Sequence, residues 1–267
     1  MTGTDTLDIG GQVALITGAG QGAGRAIALE LAKHNAGGIA VNDFVAERAE
    51  AVVAEIQAMG VPAQAVPFDV TDLDAVRGAI ADLAAGIGTP TILVNNAGMA
   101  GPGAQLRPAS NFWDEDPSEW GKYMNTNLYG VFNCCHAAIP GMVAANKGRI
   151  VTIVSDSGRT GERKQAVYSA AKAGAAGFVR SIAKEVGRYN VTCNAIALST
   201  INTMMDPEQF AAYQQTDAYK AHVAQYTIRR WGQPEDVGAL TAFLCSDAAS
   251  WVTGQTYPLN GGYSSAL

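Results

Sequence analysis

The feature that most constrains the fold is a glycine-rich turn between an apolar run and a helix-like run. The apolar run, 12–17, is consistent with a buried parallel strand, and residues 25–32 have helical periodicity. Between them Gly18, Gly22 and Gly24 are spaced Gly-x-x-x-Gly-x-Gly. Such a turn lets backbone N–H groups at a helix start approach a pyrophosphate. A merely flexible glycine loop is the weaker interpretation, because both flanking elements are present.

The alternation of strands and helices continues along the chain. Further strands are predicted at 39–42, 63–68, 91–94, 148–154, 191–196 and 254–262, and helices at 46–59, 72–85, 117–144, 165–186 and from 232 onward. No linker divides them. The pattern predicts an α/β fold: a single-domain, Rossmann-like, doubly wound parallel sheet of about seven strands flanked by helices. This domain would span 12–267 behind a flexible N-terminal arm, 1–11.

Two segments interrupt the alternation. Residues 99–117 are rich in proline and glycine, and residues 198–227 are polar with weak periodicity. Ligands of doubly wound folds bind beyond the carboxyl ends of the strands, where both segments would lie. We therefore expect two active-site loops, 99–117 as a candidate substrate lid and 198–227 as a mobile segment that covers the site.

Tyr168 and Lys172 stand four apart at the start of a predicted helix, so both side chains lie on one face. A phenol has an unperturbed pKa of about 10. A nearby ammonium lowers the pKa of Tyr168 and suits it to act as a general acid or base. Alone, the pair can be incidental to an alanine-rich helix. It becomes a catalytic prediction because a cofactor site is predicted to face it.

Asp43 ends the second predicted strand, about 20 residues beyond the glycines. A carboxylate there can accept hydrogen bonds from the adenosine ribose hydroxyls and would repel a 2′-phosphate. Its neighbours Asn42 and Phe44 supply no cation, whereas Arg25 and Arg48 lie further away in the sequence. The predicted cofactor is therefore NAD.

Two other polar residues have open interpretations. Asp69 either binds the adenine amino group or caps the next helix, although the capping role better suits Thr71 or Asp72. Asn127 lies inside a predicted helix, where asparagine is unfavourable. Its position therefore suggests a local distortion or a polar role.

Composition narrows the class of protein. Apolar residues make up 48% of the chain and charged residues 16%, and the net charge is −6 without a basic run. These values predict a folded protein that binds neither nucleic acid nor an anionic membrane, and no apolar run approaches the ~20 residues of a transmembrane span. Cys134, Cys135, Cys193 and Cys245 are predicted to be reduced core residues, and no metal site is expected. We expect a cytoplasmic protein.

The ordered motifs resemble those of the short-chain dehydrogenase/reductase family over about residues 12–262. The matching motifs are Thr-Gly-x-x-x-Gly-x-Gly at 17–24, the acid at Asp43, Asp-Val at 69–70, Asn-Asn-Ala-Gly at 95–98, Asn127 in Asn-Leu-x-Gly-x-Phe, Ser155 thirteen positions before Tyr168, Tyr-x-x-x-Lys at 168–172, and a tail with Arg-x-Gly-x-Pro-x-Asp-Val from Arg230 and Gly-Gly at 261–262. Each motif is weak alone, but the ordered set is specific.

The resemblance implies four catalytic residues. Tyr168 would donate or accept the proton and Ser155 would position the substrate oxygen. Lys172 would bind the nicotinamide ribose and lower the pKa of Tyr168, and Asn127 would hold a water that links Lys172 to solvent. The implied cofactor-binding residues are Gly18, Gln21, Gly22, Ala23, Gly24, Asp43, Phe44, Asp69, Val70, Asn95, Ala97, Gly98, Tyr168, Lys172, Ile201 and Thr203.

The chain departs from the family pattern at three places. Leu198-Ser199 replaces the usual Pro-Gly, although Ile201 and Thr203 keep the nicotinamide-contacting positions. Ala23 replaces a commoner isoleucine, and the 99–117 loop is longer than usual. Substrate analogy is therefore weakest at that loop.

These features predict an NAD-dependent oxidoreductase that interconverts a secondary alcohol and a ketone. An alicyclic or hydroxyacyl substrate is one option, and Arg159, Arg163 and Lys164 either meet an anionic substrate tail or form a solvated patch. The alternatives are an NADP-dependent ketoacyl-type reductase, which Asp43 opposes, and a non-catalytic dinucleotide-binding regulator. The long apolar helices and the resemblance both suggest a homotetramer.

Overall fold

The computed structural model describes residues 5–99, 110–203 and 205–265. Its strands form one seven-stranded parallel sheet in the order β3-β2-β1-β4-β5-β6-β7, which confirms the predicted fold class. The strands are β1 Val13–Ile16, β2 Gly38–Val41, β3 Ala63–Ala65, β4 Ile92–Asn95, β5 Gly148–Ser155, β6 Val191–Leu198 and β7 Thr256–Leu259.

Helices connect the strands along the described chain. They are α1 Gly22–Lys33, α2 Ala46–Ala58, α3 Leu73–Ala85, α4 Trp120–Met124, α5 Gly130–Ala145, α6 Ser157–Thr160, α7 Ala166–Val186, α8 Pro207–Gln214, α9 Asp217–Val223 and α10 Pro234–Cys245. A π-helical turn, Asn125–Tyr129, joins α4 to α5. Short 3₁₀ helices lie at Phe112–Asp114, Pro117–Glu119, Gly187–Tyr189 and Asp247–Ala249.

The core lies on both faces of the sheet. Side chains alternate between faces along a strand, so Leu15 and Ile150 pack into one apolar cluster while Ile16 and Val151 pack into the other. Helices α3, α5 and α7 cover the first face, and α1, α2 and α10 cover the second. Burial on both faces explains why these strands are continuous apolar runs.

Strand β1 lies between β2 and β4, so the strand order reverses beside it. The glycine turn after β1 and the segment after β4 consequently meet at the carboxyl edge of the sheet. A crevice at this switch point is where doubly wound folds bind ligands.

The helical segment Pro117–Ala145 is long enough to cross a membrane, and the mean hydropathy of its most apolar 18 residues, 1.3, is high enough by composition alone. One face nevertheless packs on the sheet through Val131, Cys134, Ala138 and Met142, which belong to the core. This packing accounts for part of its apolar composition, because 33% of that apolar stretch is buried.

The structure corrects the predicted N-terminal arm. Ile9 is buried, its N–H donates to the His34 carbonyl at 3.0 Å, and His34 also pairs with Asp5. Residues 5–11 are therefore attached to the domain through a buried apolar side chain, while residues 1–4 lie outside the described chain.

The predicted loops also differ from expectation. Residues 198–227 contain α8 and α9, which pack around a cluster of Phe210, Tyr219 and Trp231. Residues 100–109 of the other predicted loop lie outside the described chain. Strand β3 ends at Ala65 rather than at residue 68.

Candidate active site

The four predicted catalytic residues come from neighbouring elements at the carboxyl edge of the sheet. Ser155 is the last residue of β5, and Asn127 lies in the π-turn. Tyr168 and Lys172 occupy the first two turns of α7, which packs against β5. Asn127 thus has both features suggested by the sequence, a local helix distortion and a polar contact.

Ser155 lies within hydrogen-bonding reach of the Tyr168 hydroxyl, whose pKa it lowers. Ser155 Oγ also accepts hydrogen bonds from Ser157 N at 3.2 Å and Ser157 Oγ at 3.0 Å. Tyr123 packs edge-on against the Tyr168 ring, with centroids 6.3 Å apart. These contacts fix two hydroxyls side by side, as required to bind one substrate oxygen.

Lys172 is buried, and its Nζ donates to the Ile153 carbonyl at 3.0 Å. Gly98 lies between Lys172 and Asn127: a Cβ at Gly98 would come within 3.3 Å of Lys172 Nζ and 2.7 Å of Asn127 Oδ1. Asn127 Nδ2 donates to the Met99 carbonyl at 3.2 Å, and its buried Oδ1 has no partner in the described chain. Glycine at position 98 therefore allows these polar groups to approach each other.

The pKa of Tyr168 is shifted in the opposite direction to our prediction. Burial raises the pKa of its hydroxyl, and the hydrogen bond with Ser155 offsets only part of this effect. Lys172 Nζ lies 6.0 Å from the Tyr168 ring centroid and its proton is directed to Ile153. Burial lowers the pKa of Lys172 itself to about 8.

The lowered pKa of Lys172 gives an expected pH dependence. Its ammonium form predominates below about pH 8 and is lost above that value. We expect kcat/KM for the dinucleotide, which reports ionisations of the free enzyme, to be level below about pH 8 and to fall above it. Initial rates across the pH range measure this. A level profile up to about pH 10, the range of an exposed lysine, would contradict it.

The glycine turn has the backbone geometry that a pyrophosphate site requires. Gly18 and Gly22 have φ values of 62° and 54°, and a Cβ at Gly24 would lie 2.2 Å from the Gly18 carbonyl oxygen. The N-cap of α1, Gln21, makes no side-chain capping bond, and the first turn carries no acidic residue. Since the first amides of a helix attract anions, these residues fit the pyrophosphate of a dinucleotide.

The end of β2 holds this turn in place. The Asp43 carboxylate is buried and accepts hydrogen bonds from Gly20 N at 3.1 Å and Val45 N at 3.0 Å. Asn42 Oδ1 accepts from Gly18 N at 3.2 Å. Asp43 therefore lies directly against the turn, whereas the Phe44 side chain is 77% exposed.

The segments after β6 and β3 supply other predicted cofactor residues. Thr203 lies over the glycine turn, with its Cβ 3.1 Å from the position of a Cβ at Gly22. Ile201 forms an isolated parallel bridge with Gly232. Val70 is buried, and exposed Asp69 accepts a hydrogen bond from Thr71 N at 2.8 Å.

Asp72 caps α3 by accepting from Asp74 N at 3.0 Å and Ala75 N at 3.1 Å. The capping role is thus confirmed for Asp72.

The Asn-Asn pair after β4 has a division of roles that the motif did not predict. Asn95 points into the core, where its Nδ2 donates to Thr152 Oγ1 at 3.2 Å and lies 3.3 Å from Cys135 Sγ. Its neighbour Asn96, which was not singled out, donates to the Thr17 and Gly18 carbonyls, both at 2.9 Å. Successive side chains of a strand point to opposite faces, which explains why Asn95 and Asn96 make different contacts. The same rule could have predicted this difference from the sequence.

Thr17 Oγ1 links the same two segments. It accepts hydrogen bonds from Asn96 N and Ala97 N, both at 3.0 Å. Only the backbone of Asn95 is therefore available near the cofactor site, while Ala97 and Gly98 lie beside it.

The sequence suggested that Arg25 and Arg48 both lie away from Asp43, and the structure shows a different arrangement for the two arginines. Arg25 is paired with the Glu55 carboxylate, with Nε 2.9 Å from Oε1. Arg48 is closer than its sequence position suggested: a Cβ at Gly20 would lie 2.6 Å from both the Arg48 Cβ and Asp43 Oδ2.

The basic residues near the expected substrate entrance fall into two groups. Arg159 is an internal residue, paired with the buried Asp156 at 2.6 Å, so it is not a free cation for a substrate tail. Arg163 and Lys164 are exposed. The four cysteines are free and buried, as predicted.

Known proteins are similar to this chain over nearly its whole length. A family model described as enoyl-(acyl carrier protein) reductase matches residues 18–264. A Staphylococcus aureus protein named 3-oxoacyl-(acyl carrier protein) reductase is 38% identical over 251 residues, which cover 93% of this chain and 96% of the relative.

Solved structures are also similar. A gluconate 5-dehydrogenase from Burkholderia cenocepacia in complex with NADP and tartrate has a TM-score of 0.86 and 30% identity, with 99% of each chain covered. A 3-oxoacyl-(acyl carrier protein) reductase from Brucella melitensis with bound NAD has a TM-score of 0.83 and 33% identity, covering 97% of this chain and 95% of that one. These neighbours differ in substrate and in bound dinucleotide.

Proposed function

Because the chain belongs to the short-chain dehydrogenase/reductase family of oxidoreductases, we propose that it reduces the ketone of a 3-oxoacyl thioester with NADH. The same residues would catalyse oxidation of the secondary alcohol in the reverse direction. The observation that carries this proposal is the placement of Ser155, at the end of β5, next to Tyr168 and the buried Lys172 of α7, at the edge where the glycine turn lies.

The side chains have complementary roles in this proposal. When bound, the nicotinamide supplies the hydride that reaches the carbonyl carbon. Ser155 donates a hydrogen bond to the carbonyl oxygen, and Tyr168 donates the proton that this oxygen takes up. The raised pKa of Tyr168 keeps its hydroxyl protonated, which suits the reductive direction. Lys172 holds the nicotinamide ribose, and Asn127 Oδ1 accepts from a water on the path to solvent.

The cofactor proposal depends on Asp43. Its carboxylate is at the end of β2 and contacts the turn that would hold the pyrophosphate. Ribose hydroxyls can donate to it, whereas a 2′-phosphate would bring like charge against a buried carboxylate. One solved neighbour has NADP bound and another has NAD bound, so the neighbours favour neither dinucleotide, and our proposal depends on Asp43.

The proposed substrate follows the names of the sequence relatives, which favour the ketoacyl hypothesis over a general alcohol dehydrogenase. Thioester carriers are anionic, and exposed Arg163 and Lys164 immediately precede α7. A sugar acid is the second candidate, supported by the gluconate 5-dehydrogenase neighbour. The assembled Ser155, Tyr168 and Lys172 oppose a non-catalytic regulator.

A substrate panel tests the proposed function. NADH oxidation would be measured with a 3-oxoacyl-CoA, the same acid on acyl carrier protein, a cyclic 2-oxoacyl-CoA and 5-ketogluconate. We expect a 3-oxoacyl thioester to give a kcat/KM at least about tenfold above 5-ketogluconate. Preference for 5-ketogluconate would favour the sugar-acid function, and a preferred cyclic substrate would favour the alicyclic hypothesis.

We also propose a cytoplasmic homotetramer. Large apolar side chains are exposed, among them Trp251 at 99% and Tyr129 at 53%, and the Tyr129 ring packs edge-on against Phe132 of α5. Apolar surface of this kind commonly marks an interface between subunits. Light scattering at micromolar concentration should give about four times the 27.7 kDa chain mass; a monomer would contradict this proposal.

A further inference from the structure

Asp156 follows Ser155 directly and is a buried carboxylate that the proposed chemistry does not use. Its side chain is 4% exposed. Oδ1 accepts a hydrogen bond from Arg159 Nη1 at 2.6 Å, while Oδ2 accepts from Asn260 Nδ2 at 3.0 Å and Ser264 Oγ at 2.6 Å. A buried charge is costly unless paired and hydrogen-bonded, and this set of donors meets that requirement.

Two of these donors come from the turn after β7, more than 100 positions away in the chain. Ser155 pairs with Leu198 on β6, and Leu198 pairs with Leu259 on β7. Neighbouring strands lie about 4.8 Å apart, so the turn must cross the end of β6 to reach Asp156. We call residues 260–264 the C-terminal turn.

The C-terminal turn is itself well defined. Asn260 Oδ1 accepts from Gly262 N at 3.0 Å, and Asn260 Nδ2 also donates to the Ser264 carbonyl at 3.0 Å. Gly261 and Gly262 have φ values of 58° and 77°. Asn260 therefore folds the turn into the shape that presents Ser264 to Asp156.

The same turn contacts residues 226–228, which follow α8 and α9; we call these two helices the lid helices. Ile228 N donates to the Gly261 carbonyl at 2.8 Å, and Thr227 Oγ1 donates to the Gly262 carbonyl at 3.2 Å. The Tyr226 and Tyr263 rings lie 5.1 Å apart. The C-terminal turn thus joins the Ser155 loop to the exit of the lid.

Tyr226 extends this connection to the turn where the family's Pro-Gly is replaced. Its hydroxyl is 2.7 Å from Ser199 Oγ and donates to Thr200 Oγ1 at 3.0 Å. A glycine at position 199 would lack this hydroxyl contact. The departure at Leu198-Ser199 therefore belongs to the same hydrogen-bonded connection between lid and sheet.

We propose that Asp156 is a positioning residue, which ties the C-terminal turn and the lid exit to the Ser155 loop and so sets where Ser155 meets the substrate oxygen. The proposal rests on the proposed function in that Ser155 contacts the substrate. It assigns no direct part in dinucleotide binding to Asp156, because its side-chain partners Arg159, Asn260 and Ser264 are not among the implied cofactor-binding residues.

Asp156→Asn tests this inference, since it removes the charge at nearly constant volume. We expect kcat/KM for the ketone to fall at least about tenfold while the dinucleotide Kd stays within about twofold. Hydrogen exchange should become faster at 226–230 and 260–264 but not at the glycine turn. Asp247→Asn is the control for loss of an Arg–Asp pair as such, because its exposed carboxylate pairs with Arg149 near the amino end of β5, away from the site.

A double-mutant cycle with Ser155→Ala separates positioning from general destabilisation. If Asp156 acts through Ser155, Asp156→Asn should lower kcat/KM for the ketone by less than about threefold when Ser155 is already replaced by alanine. An equal cost in both backgrounds, or unchanged exchange of the C-terminal turn, would overturn the inference. Full activity of Ser155→Ala alone would instead overturn the proposed function. If Asp156→Asn does not fold, Ser264→Ala is the second variant, because it keeps the ion pair between Asp156 and Arg159. It should give smaller changes in kcat/KM for the ketone and in hydrogen exchange of the C-terminal turn. No change in either quantity would also overturn the inference.

Discussion

Tyr168→Phe is expected to lower kcat by about 10²–10⁴-fold, the usual contribution of general acid–base catalysis. The substitution removes only the hydroxyl next to Ser155 and leaves the ring packed against Tyr123. The dinucleotide Kd should therefore change by no more than about twofold. Steady-state rates on the preferred ketone, with fluorescence titration of NADH, measure both quantities.

Tyr189→Phe is the matched control for this experiment. Tyr189 lies in the 3₁₀ helix that precedes β6, at the edge of the sheet opposite the site, and its hydroxyl contacts Arg188. We expect its kcat within about twofold of the wild type. If Tyr168→Phe kept more than about a tenth of wild-type kcat, Tyr168 would not be the acid–base residue.

The second large effect concerns cofactor choice. We expect the wild type to prefer NADH over NADPH by at least about 10²-fold in kcat/KM, or roughly 2.8 kcal/mol, because Asp43 accepts from ribose hydroxyls and repels a 2′-phosphate. Asp43→Asn should reduce this preference at least about tenfold. Asparagine keeps a carbonyl oxygen that can accept from Gly20 N, so the turn retains a partner.

Arg48 supplies the control for that experiment, since it lies against the same glycine turn. Asp43→Asn is expected to raise kcat/KM for NADPH. If that increase depends on the Arg48 cation, adding Arg48→Ala to the Asp43→Asn variant should remove most of it. Comparable kcat/KM values for both dinucleotides in the wild type, or an unchanged preference in Asp43→Asn, would show that Asp43 does not select the cofactor.

Local patterns were sufficient to predict the sheet and the position of the site. The buried strands β1, β4, β5 and β6 are apolar runs, and the glycine turn, Asp43, the Asn-Asn-Ala-Gly motif and Ser155 lie at or just after the carboxyl end of a strand. Proximity at that edge is a consequence of parallel topology, so it could be inferred without coordinates. The i, i+4 spacing of Tyr168 and Lys172 likewise required only a helix.

Effects that depend on tertiary contacts were not predicted. The direction of the Tyr168 pKa shift depends on burial, which residue spacing does not report. The lid helices α8 and α9 pack through aromatic rings that converge on Trp231, so their periodicity was weak. Their N-cap residues, Asp206 and Thr216, were signals present in the sequence that we did not use.

The contact between Asp156 and the C-terminal turn also depends on tertiary structure and could not be predicted from the sequence. Its partners are 104 and 108 positions away, and no spacing rule relates them. Such a contact becomes visible only when β6 and β7 are placed beside β5.

The central claim is that this site transfers hydride between a nicotinamide dinucleotide and the carbonyl carbon of a 3-oxoacyl thioester. NADH labelled with deuterium at either face of nicotinamide C4 would be incubated with the enzyme and a 3-oxoacyl-CoA, and the products analysed by mass spectrometry and NMR. We predict that one labelled form, and not the other, delivers a single deuterium to the new hydroxyl-bearing carbon. No deuterium at that carbon with either form, or no hydroxyacyl product at all, would contradict the account.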